Sequence, residues 1–258
     1  MFQFVFKCLK GKSSSPPPPT TQSFSTVKNH TEQTQTTEMK LVWSPELASK
    51  AYIDTVKLKS GEKLKESGTA ELLAAMAAGW DAKLIVEAWS HGEPIGTSIG
   101  LAVAARHTCG RHVCVVPEER SRLEYSKSMM GYGVVEMEVV VGEAEEVMVA
   151  LKGVHFVVVD CKRRDFARIL RFARLSHDGA VLACKNALQR SITFSGFRWL
   201  GVLEKGTRVV RSVLMPVGQG LAVAYVGSKS GTGGSKKDPS RWIKLTDQES
   251  GEEHIFRR

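Results

Sequence analysis

The sequence predicts an α/β protein whose seven-stranded, mostly parallel sheet ends in an antiparallel hairpin and carries helices on both faces. Five apolar runs, at 84–88, 112–116, 136–141, 155–160 and 179–184, are spaced as strands with helical segments between them. The runs are nearly continuous rather than alternating, as parallel strands covered on both faces are. Two more β-branched runs, at 207–215 and 220–227, flank the turn PVGQ and read as the hairpin.

Residues 1–38 are rich in Ser, Thr, Gln and Pro, include PPPP at Pro16–Pro19 and lack apolar periodicity, so a disordered extension is expected there. Its hydroxyl-rich, acid-poor composition is also that of an organellar transit peptide, although arginine is absent. An α/β domain is expected over 39–228. It opens on VWSPELASKAYIDTVK, where Ser44 is an N-cap and Pro45 suits the first helical position. A second helix, ELLAAMAAG, has Ser67 or Thr69 as cap, Glu71 in its first turn and Gly79 where a left-handed C-terminal residue is wanted. Residues 229–258 read as a flexible charged tail in which Trp242 and Ile243 dock locally.

At 258 residues with 42% hydrophobic content, the chain has enough apolar material for one sizeable core. No apolar run approaches the roughly 20 residues that span a bilayer, so no membrane partner is expected. The five cysteines form no CxxC pair, and neither they nor the seven histidines show zinc-ligand spacing; reduced thiols and a cytoplasmic setting follow, with an organelle as the alternative if the extension is a transit peptide. GxGxxG and P-loop patterns are absent, which argues against dinucleotide oxidoreductases and P-loop NTPases. The net charge is +9, of which about +5 lies in 39–227. Much of it sits in the run from Lys162 to Arg174, where Arg164, Arg168 and Arg171 would share one helix face. That face is either solvated or binds an anionic polymer such as a nucleic acid.

The segment LIVEAWSHGEPIGTSIGLAVAA, from Leu84 to Ala105, is a strand, a glycine-bearing loop and a small-residue helix. An open α/β sheet holds nucleotide-like ligands at such a loop. Five βα units closed by a hairpin resemble the Rossmann-like class I S-adenosylmethionine-dependent methyltransferase fold; a dinucleotide-binding Rossmann domain ends differently. Over roughly Ser67 to Leu188 the chain resembles the caffeoyl-CoA and catechol O-methyltransferases. From MKLVWSPELASKAYIDTVK onward it resembles a plant family catalogued as a domain of unknown function and filed beside the methyltransferases.

The resemblance implies an S-adenosylmethionine site and carries over unevenly. The family loop has glycine two residues after an acid; here Glu87 is followed by Ala88 and Trp89, an indole expected to obstruct close approach. The Gly96-Thr97-Ser98 segment resembles the family's Gly-Tyr-Ser, which makes this loop about three residues longer and moves the permissive glycines to Gly92 and Gly96. Gly96, Gly100 and Ala104 equally suit a smooth helix face packed on the sheet. Pro117 occupies the family's ribose-acid position, leaving Glu118 or Glu119 to reach the diol or simply to start a helix. Gly142-Glu143-Ala144 resembles the adenine turn, so Gly142 and Ala144 complete the implied cofactor set.

VVVDCKRRDF resembles the family's fourth-strand segment, which puts Asp160 at the first metal-ligand position, Arg163 at that of a catalytic lysine and Phe166 at the aromatic one. The Asp-Asn pair that completes the family's metal site reads Lys185-Asn186. An ammonium cannot coordinate Mg²⁺, so no metal is expected, and a pair between Lys185 and Asp160 is expected in its place. Three readings stay open. One is a metal-independent methyltransferase acting on a small phenolic or anionic acceptor, with Asp160, Arg163 and Lys185 beside it. The others are a catalytically silent module binding a ligand or protein partner, and an anionic-polymer binder.

Overall fold

The computed structural model of the protein describes residues 42–59, 68–188, 199–228, 242–246 and 253–257. The extension at 1–38, Ser67 and most of the tail lie outside the described residues. In chain order the elements are α1 (Pro45–Lys59), α2 (Thr69–Gly79), β1 (Leu84–Ala88), α3 (Gly96–Thr108), β2 (Arg111–Val116), α4 (Glu119–Gly131) and β3 (Glu138–Val141). Then follow α5 (Ala144–Ala150), β4 (Lys152–Val154), β5 (Phe156–Asp160), α6 (Phe166–Phe172), β6 (Arg174–Leu175), β7 (Ala180–Lys185), α7 (Trp199–Val202), β8 (Val209–Met215) and β9 (Leu221–Val226). Last come β10 (Trp242–Thr246) and β11 (Glu253–Arg257).

Seven strands form one sheet in the order β3-β2-β1-β5-β7-β9-β8. The first five are mutually parallel, and β9 runs antiparallel to both β7 and β8. From β1 the chain winds outward through β2 and β3, then returns to the other side of β1 at β5. That reversal opens a crevice at the carboxyl ends of β1 and β5, the place where open α/β sheets receive ligands. The seven expected strands are all present, their ends shifted by at most two residues.

Alternation along the buried strands divides the core. Leu84, Val86 and Ala88 of β1, with Val157, Val159, Leu182 and Cys184, pack beneath Met148, Ile169, Leu170 and Trp199 of α5, α6 and α7. Ile85, Phe156, Val158, Val181 and Ala183 face the other way, against Ala51, Leu73, Ala77 and Leu101 of α1, α2 and α3. The period of two therefore sends Glu87, Asp160 and Lys185 to the second face, at the top of three adjacent strands.

Several local expectations change. Ser44 does cap α1, accepting a hydrogen bond from Leu47 N at 3.3 Å. Thr69, however, is the first residue of α2, and Gly68, in the left-handed region at φ 81°, stands at its cap. Gly79 is not the left-handed residue; Asp81 is, at φ 49°. Gly79 is small because Trp43 lies on it, 2.4 Å from where a Cβ would stand. Helix α6 begins at Phe166, so Arg164 lies in the preceding turn and the expected three-arginine helix face does not form. Arg168 Nε instead pairs with Glu145 at 2.8 Å and Arg171 Nη2 reaches Gly201 O at 3.4 Å. The short β4–β6 pair and the antiparallel β10–β11 pair are further additions, the latter inside the segment expected as a tail.

Within the small-residue face of α3, Gly100 meets helix α2, while Ala104 shares the core with Ile85 of β1 and Phe156 of β5. A Cβ at Gly100 would stand 2.6 Å from the carbonyl oxygen of Ala70 in α2. Backbone cannot swing aside as a side chain can, so Gly100→Ala is expected to cost about 1–3 kcal/mol, read as a lowered urea midpoint at unchanged slope.

Candidate functional site

Five connections converge on the carboxyl ends of the parallel strands: 89–95 after β1, 117–118 after β2, 142–143 after β3, 161–165 after β5, and Asn186 after β7. Beneath them lies a buried charge cluster. Glu87 is 1% exposed, and His112 Nε2 of β2 lies 3.4 Å from its Oε2. Burial pushes the Glu87 carboxyl up, but His112, the Lys185 charge and Ser98 outweigh it and hold the group below the usual glutamate range.

Asp160 and Lys185 are partners in the β5–β7 register, and Lys185 is 3% exposed. Asp160 Oδ1 accepts from Lys162 N at 2.7 Å, and its Oδ2 accepts from Asn186 Nδ2 at 2.6 Å. Asn186 itself is left-handed at φ 58°, a conformation its short amide tolerates. The Lys185 charge acts on Glu87 and Glu93, so this one ammonium lowers carboxyls on β1 and on the loop that follows it.

The loop after β1 closes over this cluster. Glu93 N donates to Ser90 O at 3.0 Å, making a tight turn, and Glu93 Oε2 is enclosed without a hydrogen-bond partner among the described residues. Burial pushes the Glu93 carboxyl up to about 7; Asp160 and Glu87 add to the rise, while Lys185 and Arg163 oppose it. Arg163 is 8% exposed and committed: Nε and Nη2 hold Asp165 Oδ1 and Oδ2 at 3.0 and 2.7 Å, while Nη1 donates to Ser90 Oγ. The arginine thus ties the loop after β5 to the loop after β1.

The expected cofactor residues occupy the crest. Gly92 is exposed at φ 78°, with open space where a Cβ would stand, and its N–H donates to Glu124 Oε1 of α4 at 3.3 Å. Gly96 is buried as the first residue of α3. Glu118 is exposed at the head of α4, with extended backbone, while Glu119 is engaged by Arg122. Gly142 N donates to Val116 O at 3.0 Å, fastening β3 to β2, and a Cβ on it would stand 2.9 Å from Val147 Cγ2. Ala144 is buried as the first residue of α5. Trp89 turns into a cluster with Ile95, Ile99, Cys114, Val116 and Met129, and its ring meets Tyr125 edge-on at 5.4 Å. Its N–H is sealed there without a partner among the described residues.

A family described as Protein of unknown function (DUF1442) matches residues 39–258. The chain belongs to that family. No curated protein matches it. Among solved structures, the DUF1442 chain is similar to one from Staphylococcus aureus, provisionally assigned as a caffeoyl-CoA O-methyltransferase. The two are 14% identical, over 68% of this chain and 92% of that one, at a TM-score of 0.50. A methyltransferase from Geobacter sulfurreducens (19% identity, 68% and 88% coverage, TM-score 0.49) and the O-methyltransferase TomG from Streptomyces achromogenes (22%, 72% and 92%, 0.48) are also similar. At such identities the likeness is one of fold: this chain has the Rossmann-like sheet of class I methyltransferases.

Glu93 and His112 of this DUF1442 protein are not legible from motif matching. Glu93 lies in the loop that is longer than the resembling family's, and the signal available was an acid between Gly92 and Gly96. His112 shows only as a polar residue opening an apolar strand. Among the described residues no group of three His, Cys, Asp or Glu could hold a metal ion, and no helix is long and apolar enough to cross a membrane.

Glu93 also sets a pH dependence. Its folded value near 7 lies above the ordinary 4.5, so the native state keeps a proton that the unfolded chain loses, and stability falls as pH rises from 4.5 to 7. Glu93→Gln is expected to match the native protein below pH 4.5 and to exceed it by roughly 2–3 kcal/mol at pH 8, measured by urea unfolding at the two pH values.

Proposed function

We propose that this protein is an S-adenosylmethionine-dependent, metal-independent methyltransferase acting on a small phenolic or anionic acceptor at the β1–β5 crevice. The observation that carries the reading is Lys185: a buried ammonium stands in register with Asp160, where the resemblance places a metal site. The residues present do not suit Mg²⁺. Both Asp160 oxygens already accept N–H groups, Asn186 turns its amide nitrogen to them, and an ammonium brings no lone pair to a cation that wants several oxygens. A fixed positive charge at the same place offers a phenolate or carboxylate its counter-ion, and transfer then depends on holding nucleophile and methyl group in line.

The residues that would hold S-adenosylmethionine are Gly92, Gly96, Gly142 and Ala144, with Glu118 for the ribose hydroxyls; once bound, it would supply an activated methyl group. Glu87 belongs to this site as the buried anion under the loop, paired with His112 rather than open to a ligand. Asp160 and Lys185 would border the acceptor, and Arg163 would position the loop. The setting proposed is cytoplasmic, in keeping with cysteines that show neither a CxxC pair nor zinc-ligand spacing.

A second reading, a catalytically silent module that binds a ligand or protein partner, is favoured by Trp89, whose large side chain replaces the family glycine and is wholly built into the core. Calorimetric titration of S-adenosylmethionine and S-adenosylhomocysteine separates the two. The enzyme reading predicts micromolar binding that ignores Mg²⁺. Binding absent from the native protein but gained by Trp89→Gly would establish the silent module instead.

A further inference from the structure

We infer that Glu93 takes the acceptor's proton during methyl transfer, the task that a metal ion and a lysine share in the resembling enzymes. The inference deepens the methyltransferase reading and rests on it. Glu93 belongs to the loop after β1, and the turn closed by Glu93 N and Ser90 O leads through Pro94 and Ile95 into α3. Arg163 Nη1 donates to Ser90 Oγ from the other side of the crevice and Gly92 N donates to Glu124 Oε1 at 3.3 Å, two bonds that hold the loop in place and that part when the acceptor enters.

Charged and titratable groups act on Glu93 from each neighbouring strand: Glu87 on β1, Cys114 on β2, Asp160 and Arg163 at the end of β5, and Lys185 on β7. Of these, none is suited to accept a proton. Glu87 is 1% exposed and is held below the usual glutamate range beside His112 and Lys185, which makes it the weaker base; both Asp160 oxygens accept hydrogen bonds, burial keeps the Cys114 thiol protonated, and the two cations have no lone pair to offer. Glu118 lies exposed at the head of α4. Glu93 Oε2 is enclosed without a partner among the described residues, as both Glu87 oxygens are, but Glu93 stands on the loop bordering the crevice whereas Glu87 is 1% exposed beneath it. A phenolic O–H is the group that would complete it.

The step balances as follows. Glu93 Oε2 accepts the phenol's proton while the phenol oxygen bonds to the methyl carbon of S-adenosylmethionine; the carbon–sulfur bond breaks and its electron pair stays on sulfur. The products are a methyl ether, S-adenosylhomocysteine and protonated Glu93, which returns its proton to solvent. Lys185 stabilises the oxyanion as it forms. Burial raises Glu93 to about 7, which suits a base working at neutral pH better than an ordinary carboxylate would.

The test compares native protein with Glu93→Gln, using methyl-labelled S-adenosylmethionine and caffeate as acceptor, beside calorimetric titration of S-adenosylhomocysteine. Equal S-adenosylhomocysteine affinity in both proteins is expected. The native rate should rise with pH and level off above about 7, whereas the variant should lose ~100-fold or more in kcat at pH 7, with little change in KM and no plateau. Glu93→Asp should keep the plateau at a reduced rate. A variant within about threefold of native kcat, an unchanged pH profile, or a native protein that binds S-adenosylhomocysteine yet never methylates caffeate would overturn the role of Glu93. No S-adenosylhomocysteine binding by the native protein would overturn the methyltransferase reading itself, and this proposal with it.

Discussion

The charge of Lys185 at the end of β7 compensates the carboxylates gathered at the top of the sheet. Glu87, Glu93 and Asp160 approach one another from β1, its loop and β5, all on the face covered by α1, α2 and α3. Burying a carboxylate without a partner costs several kcal/mol, and three together repel one another. The resembling enzymes are expected to solve this with a divalent ion. Here the Lys185 ammonium, delivered by strand register, stands with these carboxylates, His112 lies beside Glu87, and the Asn186 amide donates to Asp160. Loop 89–95 can then close over the strands, and Arg163 fastens it to the loop after β5.

This exchange explains how one fold accommodates a changed site. The strands, crossovers and hairpin depend on apolar alternation, which no change at the strand ends disturbs. The ends themselves are free to vary so long as their charges balance. Trp89 shows the same freedom in packing: where a glycine would let a ligand approach, an indole joins the α3–α4 core and meets Tyr125.

Much of this was legible in the chain. Apolar runs mark all seven strands of the main sheet, and the positions of Asp160 and Lys185 at the ends of two such runs bring them side by side, because parallel neighbours share a register. What pattern does not carry is the identity of the neighbour across space. Gly79 reads as a helix terminator, yet it is small to admit Trp43, thirty-six residues earlier. Arg164 reads as part of a helical stripe, yet α6 starts two residues later and its arginines are drawn to Glu145 and Gly201. Glu93 looks like a solvated loop acid, and only its burial beside Lys185 and Asp160 makes it unusual.

The central claim is that Lys185 does electrostatically what a metal ion would otherwise do. Lys185→Met keeps the length and apolar stem of the side chain while deleting its charge, so urea unfolding of this variant at pH 8 and pH 5 addresses the claim most directly. The account predicts a loss of about 3–5 kcal/mol at pH 8, where the buried carboxylates are left uncompensated, and a distinctly smaller loss at pH 5, where Glu93 is protonated. A loss below about 1 kcal/mol, equal at both pH values, would contradict it, because a merely packed side chain at that position would behave in that way.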